Sequence, residues 1–323
     1  MKTEIKSSFS TKKTLLILSF LCLLFGVACA FWGDVLLSPL VAILASVYLF
    51  DTTGRRIYST FVSALLLIIN VAAFLLDMYA GFFGLAAIAL ALILCIAYVK
   101  GSSKADSAYL MTIVTTVFSV FGLLLLAMVI QEEFTFDAAV KFYTDLSAEF
   151  RLIFVEKLYE LYTASGIEVT QDLLGSIYDS QLKMIVSYMI IGGFVTTGLA
   201  MKIFGGIVKK YSAVEEDIVK WRFMPTKLYA YGYIAAGLLS IFLTEADVIS
   251  VSAYNLYYIF LAIFAYVGFN FVLAILARRM RPVMALLLLI GVSLVFSSLA
   301  LQLMAVLGVM FVLRNGYNVE AAK

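Results

Sequence analysis

Long runs of hydrophobic residues, separated by short polar or charged stretches, occupy most of this chain. About 20 helical residues cross a hydrocarbon core of about 30 Å, and most of the runs approach that length. A strand-like alternation with period two is not visible, so the runs predict helices. Nine spans follow from their bounds: Thr14–Phe31, Leu36–Phe50, Ile57–Leu76, Tyr79–Val99, Tyr109–Ile130, Met184–Phe204, Leu228–Leu243, Ser252–Ala277 and Val283–Leu313.

The predicted fold class is all-α: a polytopic membrane helical bundle of about nine spans, with eight to ten compatible with the pattern. The uncertainty lies in the last run, Val283–Leu313, which would be about 46 Å long as one helix. We favour one tilted span that ends outside. The alternative is a break near Ser297 and Ser298 that returns Arg314 to the cytoplasm.

One large polar segment, residues 131–183, separates the fifth and sixth spans. Between Gln131 and Gln181 it carries ten acidic and three basic residues, a net charge of −7. Its apolar residues recur at helical spacing, which predicts an amphipathic helical hairpin on the outer face. Ser165-Gly166 should end its first helix, and Thr170 should cap its second. This hairpin is either a mobile lid over an outward cavity or a passively packed element.

This segment divides the chain into three parts. Residues 1–130 form a five-span bundle, residues 131–183 the acidic extracytoplasmic segment, and residues 184–323 a bundle of three to four spans. The C-terminal part contains a basic cytoplasmic loop, residues 205–227. The second helix is expected to be short, from Pro39 to Phe50, with Ser38 as its N-cap.

Composition narrows the class of function. The chain is 64% hydrophobic and 14% charged, with a mean hydropathy of +1.05, far from the values of soluble domains. There is no histidine, no Cys-x-x-Cys pair and no P-loop motif, so we expect no metal, no cofactor and no catalytic site. The net charge of +2 gives no basic patch for a nucleic-acid partner.

The distribution of lysine and arginine predicts the orientation. With the N-terminus in the cytoplasm, the inner segments hold 17 of the 23 basic residues, and the short outer loops hold none. An excess of basic residues on the cytoplasmic side is the expected bias of multi-pass proteins. We therefore expect a multi-pass protein of the cell (plasma) membrane with a cytoplasmic N-terminus.

Uncharged polar residues inside the spans are the candidate lining of a solute site. An amide and phenol lining suits a neutral or zwitterionic organic solute, but the same side chains could form hydrogen bonds between helices. Asn255 and Asn270 are 15 residues apart, so they share a helix face. The candidate residues are Asn70, Asn255, Tyr258, Tyr266, Asn270 and Gln302.

The loop 205–227 has two interpretations. In the first, its basic residues only keep the loop on the cytoplasmic side. In the second, they form a docking surface for a cytoplasmic or membrane partner subunit, with Lys209, Lys210, Trp221 and Arg222 as candidate contacts. A third hypothesis is a membrane-embedded enzyme that acts on lipid or cell-wall precursors. Four carboxylates at the outer face could serve it: Asp34, Asp77, Glu245 and Asp247.

The second half, about residues 180–315, resembles the YybS-like family of uncharacterised bacterial membrane proteins. The resemblance rests on a layout of features: a glycine-containing span from Gly192 to Lys210, Trp221-Arg-Phe-Met-Pro225, a span with Asn255 and Gly268 that runs into Arg278-Arg279, and a last span with Leu307-Gly308 before Arg314. Such proteins look distantly similar to the substrate-binding membrane subunits of energy-coupling-factor transporters. The resemblance implies a bacterial membrane protein and assigns no residue a role.

These observations favour a non-enzymatic component in the lipid bilayer that binds or moves a small organic solute, energised by a partner or a gradient. The alternative is a membrane scaffold or regulatory protein that organises partner proteins without transport.

Overall fold

A computed structural model describes residues 11–32, 36–51, 56–76, 78–100, 104–211, 225–243 and 248–320. These residues form eleven α-helices and contain no β-strand. The helices are α1 (Thr11–Trp32), α2 (Leu37–Phe50), α3 (Ile57–Leu76), α4 (Met78–Lys100), α5 (Lys104–Ile130), α6 (Phe136–Ala164), α7 (Gln171–Leu182), α8 (Ile185–Tyr211), α9 (Lys227–Phe242), α10 (Val248–Leu276) and α11 (Pro282–Glu320).

Six of the described helices are long and apolar enough to cross a membrane: α1, α3, α4, α5, α8 and α10. The prediction of an all-helical fold is confirmed for the described residues, and six helices of this length and composition suggest a multi-pass membrane protein. The number of long helices is lower than the predicted nine. The difference comes from α2 and α9, which have 14 and 16 residues, and from α11.

The chain divides into two compact units. Unit 1 comprises Met1–Tyr178 and Gly192–Trp221, and unit 2 comprises Asp179–Ile191 and Arg222–Lys323. Helix α8 begins in unit 2 and continues in unit 1.

In unit 1, the short helix α2 packs against α1, α3 and α4. Twelve of its 14 residues are buried, as expected for a helix that is apolar on every side. Its length of about 21 Å therefore suits a core helix. The predicted N-cap at Ser38 is wrong: α2 begins at Leu37, Leu36 is the N-cap, and no side chain caps the helix.

Helices α6 and α7 confirm the predicted hairpin boundaries. The N–H of Ala138 donates to Thr135 Oγ1 at 3.2 Å at the start of α6. Gly166 follows α6 with a φ of +72°, a conformation that glycine adopts without strain. The N–H of Leu173 then donates to Thr170 Oγ1 at 3.2 Å, so Thr170 caps α7 as expected.

In unit 2, α10 packs against both α9 and α11. The core of this unit joins one residue of α9 to four of α10 and three of α11, and these are Ala230, Leu261, Phe264, Ala265, Val267, Ala305, Val309 and Val312.

Helix α11 is helical throughout Pro282–Glu320, but its contacts exclude a straight course. A straight helix would place Phe311 about 43 Å from Pro282. The turn before α11 is compact, because the N–H of Met280 donates to the carbonyl of Leu276 at 3.0 Å. The Cα atoms of Phe271 and Phe311 would then stay at least about 22 Å apart. Their ring centroids are in fact 4.7 Å apart.

The chain therefore reverses direction within α11. Gly268 contacts Gly308 and Phe271 contacts Phe311, so the register between the helices is constant and the second half of α11 runs parallel to α10. A rise of 1.5 Å per residue on both sides of the reversal places it at about residues 297–300. This geometry fits the predicted alternative of a break near Ser297 and Ser298 and does not fit a single straight span.

Candidate functional site

Asn70, in unit 1, joins two helices. Its side chain is 4% exposed, its Nδ2 donates to the carbonyl of Leu66 at 2.6 Å, and its Oδ1 accepts from the N–H of Gly84 on α4 at 3.2 Å. A β-carbon at Gly84 would collide with the Asn70 amide, so a glycine is required for this approach. Both ends of the amide are therefore bonded to helix backbone in this conformation.

Asn255, in unit 2, joins α10 to the beginning of α8. Its Oδ1 accepts from the N–H of Ser187 at 3.1 Å and from Ser187 Oγ at 2.5 Å. Its Nδ2 donates to the carbonyls of Lys183 and Val251, each at 2.8 Å. Ser187 is the third residue of α8, so its N–H has no partner within that helix. The Asn255 side chain accepts from this N–H and so caps α8 from another helix.

Tyr258 belongs to a group of four tyrosines on α9 and α10 that we call the tyrosine cluster: Tyr233, Tyr254, Tyr257 and Tyr258. The rings of Tyr233 and Tyr257 stack at 5.4 Å, and Tyr258 meets Tyr254 and Tyr257 edge to face at 4.9 and 5.5 Å. These are contact distances between aromatic rings. The rings therefore leave no space for a cation between them, but their hydroxyl groups form a polar patch in an apolar helix pair.

Sequence reasoning identified only Tyr258 of this cluster. The segment Tyr254-Asn255-Leu256-Tyr257-Tyr258 carries three tyrosines in five residues, and this density inside a hydrophobic run was the available signal. Nothing in the sequence pairs Tyr233 with Tyr257, because that contact depends on how α9 packs on α10.

The other three predicted lining residues lie on the exposed surface of unit 2. Tyr266 is 46% exposed, and Asn270 is exposed and donates from Nδ2 to the carbonyl of Tyr266 at 2.8 Å. Gln302, on the second half of α11, is also exposed. Asn255 and Asn270 are about 22 Å apart along α10, so they do not form one small site, and Asn70 belongs to the other unit.

The reversal of α11 lies close to the tyrosine cluster. In the parallel register that pairs Gly268 with Gly308, Tyr258 of α10 lies at the level of Ser298 of α11. The phenols of the tyrosine cluster and the hydroxyl of Ser298 are thus brought to the same level of unit 2.

A recess in unit 1 is too small for an organic solute. It is lined by apolar side chains, including Phe82, Phe83 and Phe118, and by Thr115 and Ser119. Its interior of about 20 Å³ holds about one water molecule, whereas small-molecule sites have about 300–1,000 Å³.

A buried carboxylate directly after α2 stabilises the start of α3. Asp51 is 7% exposed, and its Oδ2 accepts from Ser59 Oγ at 3.3 Å and from the Ser59 N–H at 3.5 Å. Ser59 is the third residue of α3, so this contact also caps a helix from a neighbouring segment.

The predicted docking residues are only partly described. Lys209 and Lys210 are exposed in the last turn of α8, where basic residues complement the helix dipole. Trp221 and Arg222 lie outside the described residues, as do Asp34, Asp77, Glu245 and Asp247. Among the residues that the structure describes, no group of three or more cysteine, aspartate or glutamate side chains could hold a metal ion.

Comparison of the chain with family models, curated proteins and solved structures found no match. The resemblance to the YybS-like family therefore stays a prediction.

Proposed function

We propose that this chain is a non-enzymatic, multi-pass protein of a bacterial cell membrane that binds or moves a small organic solute, energised by a partner subunit or an ion gradient. Nine apolar helices form the membrane part, with α2 in the core of unit 1 and α11 folded back on itself.

The observation that carries the proposal is the reversal of α11 at the level of the tyrosine cluster. Helices that break or turn back within the bilayer are costly unless the freed backbone lines a cavity or is covered by protein. Such helix ends commonly form the binding sites of transporters. In unit 2 the reversal lies near Ser298, at the level of Tyr258 along α10.

The chemistry of these residues indicates the class of solute. Phenol and hydroxyl groups donate and accept hydrogen bonds but carry no charge at neutral pH. No lysine, arginine, aspartate or glutamate lies between Ile249 and Ala277. The surroundings therefore suit a neutral or zwitterionic organic solute with an apolar portion.

The fold-back of α11 also agrees with the proposed orientation. If the second half of α11 returns to the cytoplasmic side, Arg314 and Lys323 join the inner segments. Those segments then hold 19 of the 23 basic residues, and the outer segments hold only Lys141, Arg151, Lys157 and Lys183. This distribution is more asymmetric than the one for a single last span, as the positive-inside rule favours.

The test is a melting-temperature screen of the purified protein in lipid nanodiscs with amino acids, nucleosides, sugars and vitamins. A solute that binds the folded state at 100 times its Kd adds about 2.7 kcal/mol of stability, which raises the melting temperature by several degrees. Tyr258→Phe and Ser298→Ala should remove or weaken this shift. Tyr231→Phe, an exposed tyrosine of α9 outside the cluster, should keep it. The proposal fails if no compound shifts the transition, or if a shift survives both cluster variants unchanged.

A further inference from the structure

Each half of α11 is shorter than the hydrocarbon core of a bilayer. The reversal, which we call the tip of α11, lies about 22 Å along the helix from Pro282 and about 24 Å from Arg314, whereas the core is about 30 Å thick. Arg278-Arg279 precede the first half, and Arg314 follows the apolar part of the second half. Because arginine is costly inside a bilayer, both ends lie at one surface and the tip stops about 6–8 Å short of the other.

The face of α10 that packs against α11 continues beyond this tip. On that face Leu261 and Phe264 are 3% and 0% exposed, and Gly268 meets the backbone of α11. Tyr257 and Tyr254 follow toward the start of α10, within about 40° of Gly268 around the helix. Tyr254 lies about 6 Å beyond the level of the tip and is 39% exposed. The face is therefore covered as far as the tip and uncovered beyond it.

The groups around the tip favour a polar occupant over a lipid chain. Ser298 is exposed at the tip. The hydroxyl oxygens of Tyr254 and Tyr258 are 3.3 Å apart and share one hydrogen bond, and the described residues offer neither hydroxyl a second partner. One of the two phenol hydrogens therefore needs another acceptor. Hydrocarbon has none, and an unsatisfied hydroxyl there is costly, whereas water or the polar part of a solute supplies one.

Helix packing closes the same face between the tip and the arginine-bearing ends of α11. The backbones of Gly268 and Gly308 are in contact, and the rings of Phe271 and Phe311 are 4.7 Å apart. This packed region extends over about 15 Å of α10, from Leu261 to Phe271. A solute at the tip therefore cannot pass along this face toward the arginines unless α10 and α11 separate.

We propose that the solute site of unit 2 opens only toward the outer surface, with the tip of α11 at its base and Tyr254 and Tyr257 at its side. This inference rests on the proposed function and adds the side from which the solute binds. The outer surface is the one that the arginine-bearing ends of α11 do not reach, because basic residues concentrate on the cytoplasmic side. Release to the inner side then requires α10 and α11 to separate at Gly268 and Gly308, a movement that the energising partner or gradient has to drive.

A cysteine at the tip tests the direction of access in intact cells. Ser298→Cys should react with a small, membrane-impermeant methanethiosulfonate added outside, although both ends of α11 lie inside. Leu303→Cys is the matched control on the second half of α11, because Leu303 is 55% exposed but lies about 140° from Ser298 around the helix. It should face lipid and not react. The native Cys22, Cys29 and Cys95 are 0%, 1% and 4% exposed, so the wild-type background should be low.

Three results would overturn the proposal. Reaction of Ser298→Cys only after permeabilisation would show that the site opens inward. An absence of reaction from either side would place the tip in lipid or inside packed protein. Equal reaction rates of Ser298→Cys and Leu303→Cys would show that access is not confined to the tip. Leu299→Cys, which alters a neighbouring residue that is 54% exposed, gives the same test if Ser298→Cys does not reach the membrane.

The labelling result can be separated from the solute screen. If Ser298→Cys reacts from outside but no compound shifts the melting temperature, the outward opening is supported and the proposed function fails. If a compound shifts the melting temperature but Ser298→Cys reacts only from the inner side, the proposed function is supported and binding from the outside is refuted.

Discussion

Gly268 of α10 and Gly308 of α11 lie against each other with their backbones in contact. A β-carbon at Gly268 would lie 2.9 Å from the amide nitrogen of Gly308, and one at Gly308 would lie 3.0 Å from the amide nitrogen of Gly268. The same β-carbons would collide with the carbonyl oxygens of Met304 and Phe264. Small residues permit this close approach of helices in membranes, and here the clashing atoms are backbone atoms that cannot rotate away.

We expect Gly268→Ala and Gly308→Ala each to destabilise unit 2 by about 1–3 kcal/mol, because overpacking forces the two helices apart. The measurement is the melting temperature of the purified protein in nanodiscs. Gly291→Ala is the matched control, since a β-carbon there meets nothing within 4 Å and alanine favours a helix over glycine by about 1 kcal/mol. A Gly308→Ala protein as stable as the Gly291→Ala protein would contradict the parallel packing.

Asn255 and Asn270 provide a matched pair on one helix. We expect Asn255→Leu to destabilise the protein by about 1–3 kcal/mol, because it leaves the buried N–H of Ser187 and the carbonyl of Lys183 without the partner they have now. The Ser187 hydroxyl keeps the backbone carbonyl of residue 255 as an acceptor at 3.1 Å. Asn270→Leu should be neutral or stabilising in lipid, since Asn270 is exposed and its Nδ2 bonds to its own helix. Thermal unfolding of both variants checks this.

A double-mutant cycle separates the pair from general packing. Ser187→Ala should cost less once Asn255→Leu is present, because only the bond from the Ser187 hydroxyl to the backbone carbonyl of residue 255 then remains to be lost, and the coupling energy should be about 0.5–3 kcal/mol. Additive effects of the two substitutions would show that the bond between the Ser187 hydroxyl and Asn255 Oδ1 contributes no stability.

Helix boundaries were predictable from the sequence where local residues determine them. The bounds of α3, Ile57–Leu76, match the hydrophobic run residue for residue, and Gly166 and Thr170 mark the end of α6 and the start of α7 because turn and cap chemistry is local. The reversal in α11 was not predictable as the favoured outcome. Hydropathy is uniform along Val283–Leu313, and the contact with Gly268 that forces the reversal lies 40 residues away in sequence.

The roles of polar residues within the spans also depend on contacts that are distant in sequence. Asn70 and Asn255 look alike in sequence, and either could line a cavity or cross-link helices. Only the positions of Gly84 and Ser187, 14 and 68 residues away, determine that both side chains bond to neighbouring helices in this conformation. The tyrosine cluster was predictable only in part. Three of its tyrosines lie within five residues of α10 and stand out in the sequence, whereas the contact of Tyr233 on α9 with Tyr257 depends on helix packing.

The contact between α6 and α5 should depend on pH. Burial raises the pKa of the Tyr143 phenol above its usual value of 10.0, so the folded state favours the protonated form. Its stabilising contribution is therefore complete below about pH 10 and is lost as pH rises through the raised pKa. A phenolate also cannot donate to the carbonyl of Leu123. A spin label at Val140 should become more mobile at high pH, and electron paramagnetic resonance measures this.

Tyr143→Phe should give the high mobility already at pH 8, with a loss of about 0.5–1.5 kcal/mol for the missing hydrogen bond, and should remove the pH dependence. Tyr159→Phe is the control on the same helix, because Tyr159 is 37% exposed. A transition that persists in the Tyr143→Phe protein would assign the pH dependence to another group.

The reversal of α11 predicts that Arg281 and Arg314 lie on the same side of the membrane. Single cysteines at the two positions, in intact cells, should both resist a membrane-impermeant maleimide and both react after the inner side is exposed by permeabilisation. A cysteine at Leu152 of α6 should react in intact cells and serves as the outer reference. A straight α11 would be about 48 Å long from Pro282 to Arg314. If it crossed the bilayer once, Arg314→Cys would instead react from outside. That single result would refute the fold-back, and with it the placement of Ser298 at the level of Tyr258 on which the proposed solute site depends.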